Sequence, residues 1–342
     1  MPKNNGIPFE FSDYVLRKSF TEAGKRQGWI DSAHVIAAVS GGGDSVALLW
    51  MCSQFFHGKI TAVHINHGIR GQESDGDENF TAKFAQSLGC EFVSVRISVP
   101  TSRQKGESLE SAARRLRHEG ICSSAKRLGV STVLLGHNRD DLAETVLFNV
   151  LRGTGIRGAV GITEASELDG VKFCRPLLGF RREFLREILR VRGLSWREDS
   201  TNNDDTYTRN YIRLKLLPAI EQNINSSAVE HLARFGEDMR PVREREDEIS
   251  ARLFTECRED DTTSLTLNAK KLRRLSADEI ALVIREAGRR LGLRTLARKR
   301  CDELAGLIRN GGGFIFQWCR NIKVTCSKGI IIIDDNNGEI HS

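Results

Sequence analysis

A glycine-rich segment near the N-terminus has the composition of an anion-binding loop. After an apolar run, the chain reads Ser40-Gly41-Gly42-Gly43-Asp44-Ser45 and continues into Val46-Ala47-Leu48-Leu49, which opens a predicted helix. Successive glycines let the backbone turn sharply and expose N–H groups, and the N-terminus of a helix carries a partial positive charge. We therefore expect a phosphate chain at this loop. A helix cap formed by Asp44 or Ser45 is the alternative.

The acidic residue distinguishes this loop from two common nucleotide-binding motifs. The segment lacks the Gly-Lys-Ser/Thr ending of the Walker A loop, and it does not match the dinucleotide fingerprint G-x-G-x-x-G. The Asp44 carboxylate would repel phosphates unless a divalent cation lay between them, and Mg²⁺ commonly bridges carboxylates to phosphates. The sequence therefore predicts a nucleotide with Mg²⁺, with Asp44 as the metal ligand.

A second segment with chemically active side chains extends from Gly136 to Thr145. Its carboxylates Asp141 and Glu144 are three residues apart, a spacing that puts both on one face of a helix. Paired acids could bind a metal ion or the ammonium group of an amine substrate, and a solvated helix face is the alternative. We expect His137, just before them, to lie near the nucleotide phosphates or the reacting base.

The histidines do not have the spacing of a zinc site. His64 and His67 end a predicted strand, and neither they nor His137 has a cysteine or a second ligand set at a familiar zinc spacing. His64 and His67 could orient a loop or touch a ligand, and the residues alone do not separate these two roles.

The elements that position these segments alternate regularly between strand and helix. Near-continuous apolar runs followed by amphipathic stretches indicate an α/β domain with a doubly wound parallel sheet, in which ligands bind beyond the carboxyl ends of the strands. Both chemically active segments follow predicted strands, so we expect them at the same edge of the sheet. The predicted strands are Val35–Val39, Ile60–Ile65, Phe92–Val99 and Thr132–Leu135, and the predicted helices are Asp44–Phe56, Glu73–Leu88, Ser108–Leu128 and Asp140–Leu151.

The pattern changes after Gly153. Ser200–Asp205 is expected to form a loop, and Pro218 is expected to end the helix-like stretch Tyr207–Leu217. We divide the chain into a catalytic domain at 1–219, a helical linker domain at 220–258 and a small basic α+β domain at 259–342. The last domain is predicted to contain a strand from about Ser264, helices at Ala277–Leu291 and Leu296–Ile308, a turn at Asn310–Gly313, and strands at Phe314–Trp318, Ile322–Cys326 and Ile330–Ile333.

Composition excludes several classes of protein. The 342 residues are 39% hydrophobic and 28% charged, which is too apolar for a disordered chain and too long for one small core. No apolar run is long enough to cross a bilayer, so we expect no membrane association. The eight cysteines include no C-x-x-C pair, which indicates reduced thiols in a cytoplasmic protein.

Positive charge is concentrated late in the chain. Between Lys271 and Arg300 there are ten basic and three acidic residues. The net charge of this basic window is therefore +7, which exceeds the net charge of +6 of the whole chain. Arginines gathered on helical segments could bind a phosphate backbone with salt-dependent affinity. A solvated helix face is the alternative.

Several motifs resemble one family in particular. Residues 40–45 resemble the PP-loop of the N-type ATP pyrophosphatases, and the chain most resembles the tRNA(Ile)-lysidine synthetase family within that superfamily. The further matching motifs are His64-Ile65-Asn66-His67-Gly68-Ile69-Arg70, Ala113-Arg114-Arg115-Leu116-Arg117-His118, Gly136–Thr145 with Arg152-Gly153-Thr154-Gly155, Arg175-Pro176-Leu177-Leu178, and Trp196-Arg197-Glu198-Asp199-Ser200 followed by Arg209-Asn210. His118 stands where the family usually has tyrosine, and Asn66 where aspartate is frequent.

This resemblance implies an activity. ATP would adenylate O2 of the cytidine at the first anticodon position of tRNA(Ile) with the anticodon CAU, and free L-lysine would then replace AMP at C2, giving lysidine and pyrophosphate. It implies that Asp141 and Glu144 hold the lysine together with Arg209, whose fork matches a carboxylate. We expect catalytic roles for Asp44, His137 and Asp141, with Asp141 acting either as a base or only in positioning.

The basic residues have more than one possible ligand. Arg114 and Arg117 lie three apart on a predicted helix, where they could contact ATP phosphates or tRNA, and a surface ion pair is the alternative. We assign Arg114 to the nucleotide. The basic window would contact the body of the tRNA.

Other functions share parts of this pattern. A PP-loop tRNA thiolase is the alternative enzyme, but its close cysteine pairs are missing. A regulatory nucleotide-binding module would not need the acids at Asp141 and Glu144, and an ammonia-using synthetase would not need the basic window. For the oligomeric state, we consider a homodimer as well as a monomer.

Overall fold

The computed structural model describes residues 8–68, 72–104, 107–198, 208–259, 265–293 and 295–335. The chain divides into two compact units, Met1–Met239 and Arg240–Ser342. This boundary falls inside the segment 220–258, and the division into three domains stays a prediction. Outside the described residues lie the predicted loop Ser200–Asp205 and the motif or basic-window residues Ile69, Arg70, Asp199 and Arg294.

The first unit contains a six-stranded sheet. Its order is β3-β2-β1-β4-β6-β5, and all neighbours are parallel except the β5–β6 pair. In this register Ile36 lies beside Thr61 on one side and Val133 on the other. The predicted doubly wound α/β architecture is confirmed. The strands are β1 His34–Ala38, β2 Lys59–Asn66, β3 Glu91–Arg96, β4 Thr132–Leu134, β5 Ala165–Leu168 and β6 Val171–Cys174.

Helices cover both faces of this sheet. Apolar side chains of α1, α2 and α8 pack together on one face, and those of α5 pack against Ile36 and Val133 on the other. Successive residues of β1 therefore pack into cores on opposite faces of the sheet, as expected for a strand that is covered on both faces. The helices are α1 Asp13–Gln27, α2 Gly43–Phe55, α3 Gln72–Ser87, α4 Val99–Ser102, α5 Leu109–Leu128, α6 Arg139–Leu151, α7 Ile156–Ala159, α8 Arg182–Val191, α9 Thr208–Tyr211, α10 Leu217–Asn223 and α11 Ala228–Cys257, in which the boundary between the units falls.

The hairpin β5–β6 is absent from the predicted strands. Each of its strands has four residues, and neither contains a long β-branched run. Between them Asp169 and Gly170 both have positive φ, at 53° and 75°. An Asp-Gly pair is a common two-residue hairpin turn, so this dipeptide is the local signal that could have revealed the hairpin.

The expected helix end at Pro218 is wrong. Helical structure continues from α9 through a π-helical turn at Ile212–Leu216 into α10. Pro218 lies in the first turn of α10, where the missing N–H is least costly, and the wider π-helical turn before it leaves room for the ring. The proline therefore marks a change of helix type and not a stop.

The second unit contains an antiparallel sheet of order β7-β8-β11-β10-β9 with helices packed against it. Its core joins Ile280 and Ile284 of α13 to Leu304 of α14 and Val324 of β10. The predicted small α+β domain is confirmed. The elements are β7 Arg258–Glu259, β8 Leu265–Asn268, α12 Ala269–Leu272, α13 Ala277–Arg290, α14 Arg298–Asn310, β9 Phe314–Gln317, β10 Ile322–Ser327 and β11 Ile330–Asp335.

Two local features of the second unit follow its sequence closely. Ser276 and Glu279 form a reciprocal capping box at the start of α13, which satisfies two otherwise unpaired N–H groups. The predicted turn after α14 passes through Gly311 and Gly312, both with positive φ. None of the helices in the described part of the chain combines the length and apolarity needed to cross a membrane.

Candidate active site

The glycine-rich loop joins β1 to α2 in the conformation that the sequence predicts. Gly41 has a φ of 93°, which favours glycine, and α2 begins at Gly43 with Gly42 as its N-cap residue. Ser45 Oγ accepts a hydrogen bond from the Ser40 N–H at 3.1 Å and donates to the Gly42 carbonyl at 2.8 Å. Neither Asp44 nor Ser45 is the N-cap residue, so the helix-cap alternative does not explain this loop.

The loop borders a cavity of about 660 Å³, a volume typical of a ligand site. Its wall includes Gly42, Gly43 and Asp44 from the loop and Gly136 and His137 from the segment after β4. The two chemically active segments thus meet at the carboxyl edge of the sheet, as expected.

Other predicted residues lie around this cavity to different extents. Arg117 of α5 is one of its lining residues, whereas Arg114 lies one helical turn earlier, and its assignment to ATP stays a prediction. His64 Nδ1 is 2.9 Å from the Val39 carbonyl oxygen, so His64 supports the chain just before the loop. Trp196 packs against the apolar core, and it also lines the cavity beside Gly43.

The start of α6 fixes the position of Asp141. The Asn138 side chain accepts a hydrogen bond from the Asp141 N–H at 3.0 Å, and Asp141 Oδ2 accepts one from the Asn138 N–H at 3.0 Å. This capping box uses one carboxylate oxygen of Asp141 and leaves the other for a different partner.

That partner is Arg182, the first residue of α8. Its Nη2 lies 2.7 Å from Asp141 Oδ1 and its Nη1 lies 2.8 Å from Glu144 Oε1. Its Nε lies 3.7 Å from Asp44 Oδ2. One guanidinium group therefore contacts both carboxylates of the predicted amine site and faces the predicted metal ligand.

Arg209 also belongs to this cluster. Its Nε lies 3.7 Å from Glu144 Oε2, and its Nη2 is 3.3 Å from Thr145 Oγ1. The structure thus brings together the three residues Asp141, Glu144 and Arg209 that the family resemblance singles out. Their role in lysine binding stays a prediction.

The buried carboxylates differ in their acidity. Burial, together with the charge of Asp141, raises the pKa of Asp44 to about 6 against the effect of Arg182. Burial also raises the pKa of Glu144, again opposed by Arg182. For Asp141 burial acts in the same direction, but Arg182 and the other groups around it outweigh burial and lower the pKa. Of the two acids in the amine site, Glu144 is therefore the better proton acceptor.

His137 is neutral at physiological pH. Burial lowers its pKa to about 4, and the nearby arginines, including Arg175, act in the same direction against Asp141. Its Nδ1 is buried and has no hydrogen-bond partner among the described residues. A neutral imidazole in this position can donate or accept a hydrogen bond without adding charge.

Arg182 and Arg213 both line the cavity, although neither belongs to a motif that the sequence singles out. A signal for Arg182 exists: Arg181 and Arg182 stand at the start of a helix, where positive charge is unfavourable for the helix dipole. Arg213 lies in the π-helical turn, a type of turn that is frequent at functional sites.

Comparison with known proteins identifies the family to which this chain belongs. A family model described as a PP-loop domain matches residues 15–220, which is more than half of the chain. The chain belongs to the PP-loop family. The motif resemblance at the glycine loop is thereby confirmed.

This PP-loop chain is similar to proteins named tRNA(Ile)-lysidine synthase. The protein from Parabacteroides distasonis is 43% identical over 208 residues, covering 60% of this chain and 46% of the relative. The one from Symbiobacterium thermophilum is 35% identical over 247 residues, covering 71% of this chain and 49% of the relative. The chain spans about half the length of the curated relatives that it matches.

Among solved structures, the PP-loop chain is similar to a U34-tRNA thiolase from Methanococcus maripaludis, which contains a [4Fe-4S] cluster. The TM-score is 0.55 at 16% identity, over 66% of this chain and 78% of the other. This similarity shows the fold alone. All eight cysteines of the present chain are free, and the described residues include no group of three His, Cys, Asp or Glu side chains that could hold a metal ion.

Proposed function

We propose that this chain catalyses the ATP-dependent ligation of free L-lysine to C2 of the first anticodon cytidine of tRNA(Ile) with the anticodon CAU. The reaction passes through an adenylated cytidine and gives lysidine, AMP and pyrophosphate. The observation that carries this proposal is that Arg182, which lines the same cavity as a phosphate-type glycine loop, joins that loop to a buried acid pair, in a chain similar to lysidine synthases.

The glycine loop supplies the nucleotide half of the site. N–H groups of the first turn of α2 have no intrahelical acceptors and suit phosphate oxygens. Mg²⁺ is usually held by one or two carboxylates together with substrate phosphates, so the single carboxylate of Asp44 fits a metal ion that arrives with ATP. When bound, this ion would neutralise charge on the departing pyrophosphate.

In the first step cytosine O2 attacks the α-phosphorus of ATP, and the bond to pyrophosphate breaks. The chain contributes position, because the loop and the segment after β4, which line one cavity, would bring phosphate and base together. Neutral His137 would form a hydrogen bond to the base or a phosphate oxygen.

In the second step the ε-amine of lysine attacks C2, and AMP departs. Asp141, whose pKa is lowered, is suited to stay charged and hold an ammonium group. Glu144, whose pKa is raised by burial, is suited to accept a proton from the attacking amine. Arg209 would pair with the α-carboxylate of lysine.

The basic window would contact the body of the tRNA. Its helices α13 and α14 carry exposed Arg289, Arg290 and Arg298. An anticodon loop, unlike a paired stem, can present an unstacked base to a pocket in the other unit.

Mass analysis of tRNA(Ile) after incubation with ATP, Mg²⁺ and lysine tests this proposal. We expect the anticodon cytidine to gain the mass of one lysine less one water, and to show no such gain when lysine or ATP is omitted. A tRNA that keeps its mass under the complete conditions, with protein that binds ATP, would contradict the proposal.

A further inference from the structure

Arg182 connects the two halves of the site. Its Nη atoms contact Asp141 and Glu144 at 2.7 and 2.8 Å, whereas its Nε faces Asp44 of the glycine loop at 3.7 Å. The side chain is 11% exposed. This one side chain therefore links the acid pair to the glycine loop.

The Nε atom of Arg182 lacks an acceptor. It is buried and has no hydrogen-bond partner among the residues that the structure describes. A buried donor without an acceptor is unfavourable, so a ligand that brings an acceptor to this place gains from it. Phosphate oxygens are such acceptors, and the planar guanidinium fork matches them well.

The Nη atoms, in contrast, occupy the place where an amine substrate would be held. While the guanidinium lies between Asp141 and Glu144, it offsets their charge and repels an incoming ammonium group. The acid pair can attract the amine strongly only when the guanidinium turns away or when its charge is offset from the other side.

We propose that Arg182 couples the two substrates, pairing with Asp141 and Glu144 until the nucleotide phosphates draw its guanidinium toward the glycine loop and leave the carboxylates to the lysine ammonium. This inference rests on the proposed function. Arg182 is then a further phosphate-binding residue, and it makes ATP binding the condition for tight lysine binding.

Coupling of this kind is reciprocal. If the nucleotide tightens lysine binding by some factor, lysine must tighten nucleotide binding by the same factor. We expect a factor of at least about ten, which is within the usual range for coupled sites.

Calorimetric titration of lysine into the full chain measures this factor directly. The titration is made with and without Mg²⁺ and α,β-methylene-ATP, for the unmodified protein, Arg182→Met and Arg181→Met. Arg181→Met is the matched control, because this neighbouring arginine pairs with Asp140 and Glu221 and not with the acid pair. Arg182→Lys, which keeps a buried positive charge, is included in case the methionine variant does not fold.

The expected results differ between the variants. The unmodified protein and Arg181→Met bind lysine at least about tenfold more tightly with the nucleotide. Arg182→Met binds lysine without nucleotide at least as well as the unmodified protein, and the nucleotide changes its affinity less than about twofold. Arg182→Lys is expected to bind the analogue more weakly and to lose most of the coupling, since an ammonium group cannot contact both carboxylates and a phosphate in the same way.

Two results would overturn the coupling while leaving the proposed function intact: equal lysine affinity with and without nucleotide in the unmodified protein, or undiminished coupling in the Arg182 variants. Loss of lysine binding in Arg182→Met under both conditions would also overturn it, since Arg182 would then hold lysine itself. If the unmodified protein binds the analogue but never lysine, the proposed function fails instead.

Discussion

Arginines are used differently in the two units of this chain. In the first unit Arg182 is 11% exposed and faces three carboxylates, from Asp44, Asp141 and Glu144. In the second unit two guanidinium groups share one carboxylate: Glu286 is 1% exposed, whereas Arg289 and Arg290 remain 61% and 40% exposed. In the first arrangement nearby carboxylates offset the charge of the buried guanidinium group. In the second arrangement excess positive charge faces water.

This difference separates two kinds of electrostatic function. A buried guanidinium among carboxylates acts over a few ångströms, because its charge is balanced locally and its contacts determine geometry. Exposed excess charge acts over roughly a Debye length, about 8–10 Å, and suits a polyanion whose counterions are released on binding. The first unit is therefore suited to chemistry on small groups and the second to contact with a nucleic acid backbone.

The largest expected effect is the loss of ATP cleavage when Asp44, the carboxylate of the glycine loop, is removed. Asp44→Ala should lower ATP cleavage by at least about a thousandfold, because the metal ion would lose its protein ligand. Pyrophosphate release in the presence of tRNA(Ile) and lysine measures this, with Asp31→Ala, an exposed aspartate of the same unit, as the control. Normal activity of Asp44→Ala would refute the metal bridge.

Removing one carboxylate from each arrangement tests the contrast directly. Glu144→Ala leaves Arg182 with a buried, partly uncompensated charge and should lower the free energy of unfolding by about 3 kcal/mol. Glu286→Ala leaves two guanidinium groups that already reach solvent and should cost less than about 1 kcal/mol. Urea denaturation of both variants measures the difference. Equal losses would show that burial does not separate the two arrangements.

The basic window should determine how tRNA binding depends on salt. Neutralising Arg289, Arg290, Arg298 and Arg300 together should weaken binding and lower the slope of log affinity against log salt by roughly three, since each phosphate contact contributes somewhat less than one. The control removes the same charge from other exposed arginines of the second unit. These are Arg245, Arg252, Arg258 and Arg320. A slope that falls equally in both variants would mean that the window has no special role.

The smallest effect concerns His137, the neutral group in the first unit. The unfolded chain takes up a proton on this residue near pH 6.5, whereas burial delays protonation in the folded chain to about pH 4. Folding stability should therefore fall as the pH decreases through this interval. His137→Asn should lose less stability than the unmodified protein between pH 7 and 5 in urea denaturation. Identical losses would mean that His137 does not titrate as its burial implies.

Local patterns were sufficient for much of the first sheet. The runs around β1, β2 and β4 and the helices after them agree with the structure to within one or two residues, because continuous apolar runs and helical periodicity are local properties. The hairpin β5–β6 was missed since its four-residue strands are too short to show a clear strand pattern and acquire their place only by pairing beside β4. The prediction that Pro218 ends a helix was wrong for a related reason, because the effect of a proline on a helix depends on the turn that precedes it.

The glycine loop, the acid pair on one helix face, their common edge of the sheet and the excess of positive charge late in the chain could all be predicted from the order of residues. These follow from residue type, short spacing and the geometry of parallel strands. That Arg182 is the counterion of Asp44, Asp141 and Glu144 became evident only from the folded chain. The physical reason is that charge compensation in a buried site depends on distances of a few ångströms, and these are set by how α8 packs beside α2 and α6, far from one another along the chain.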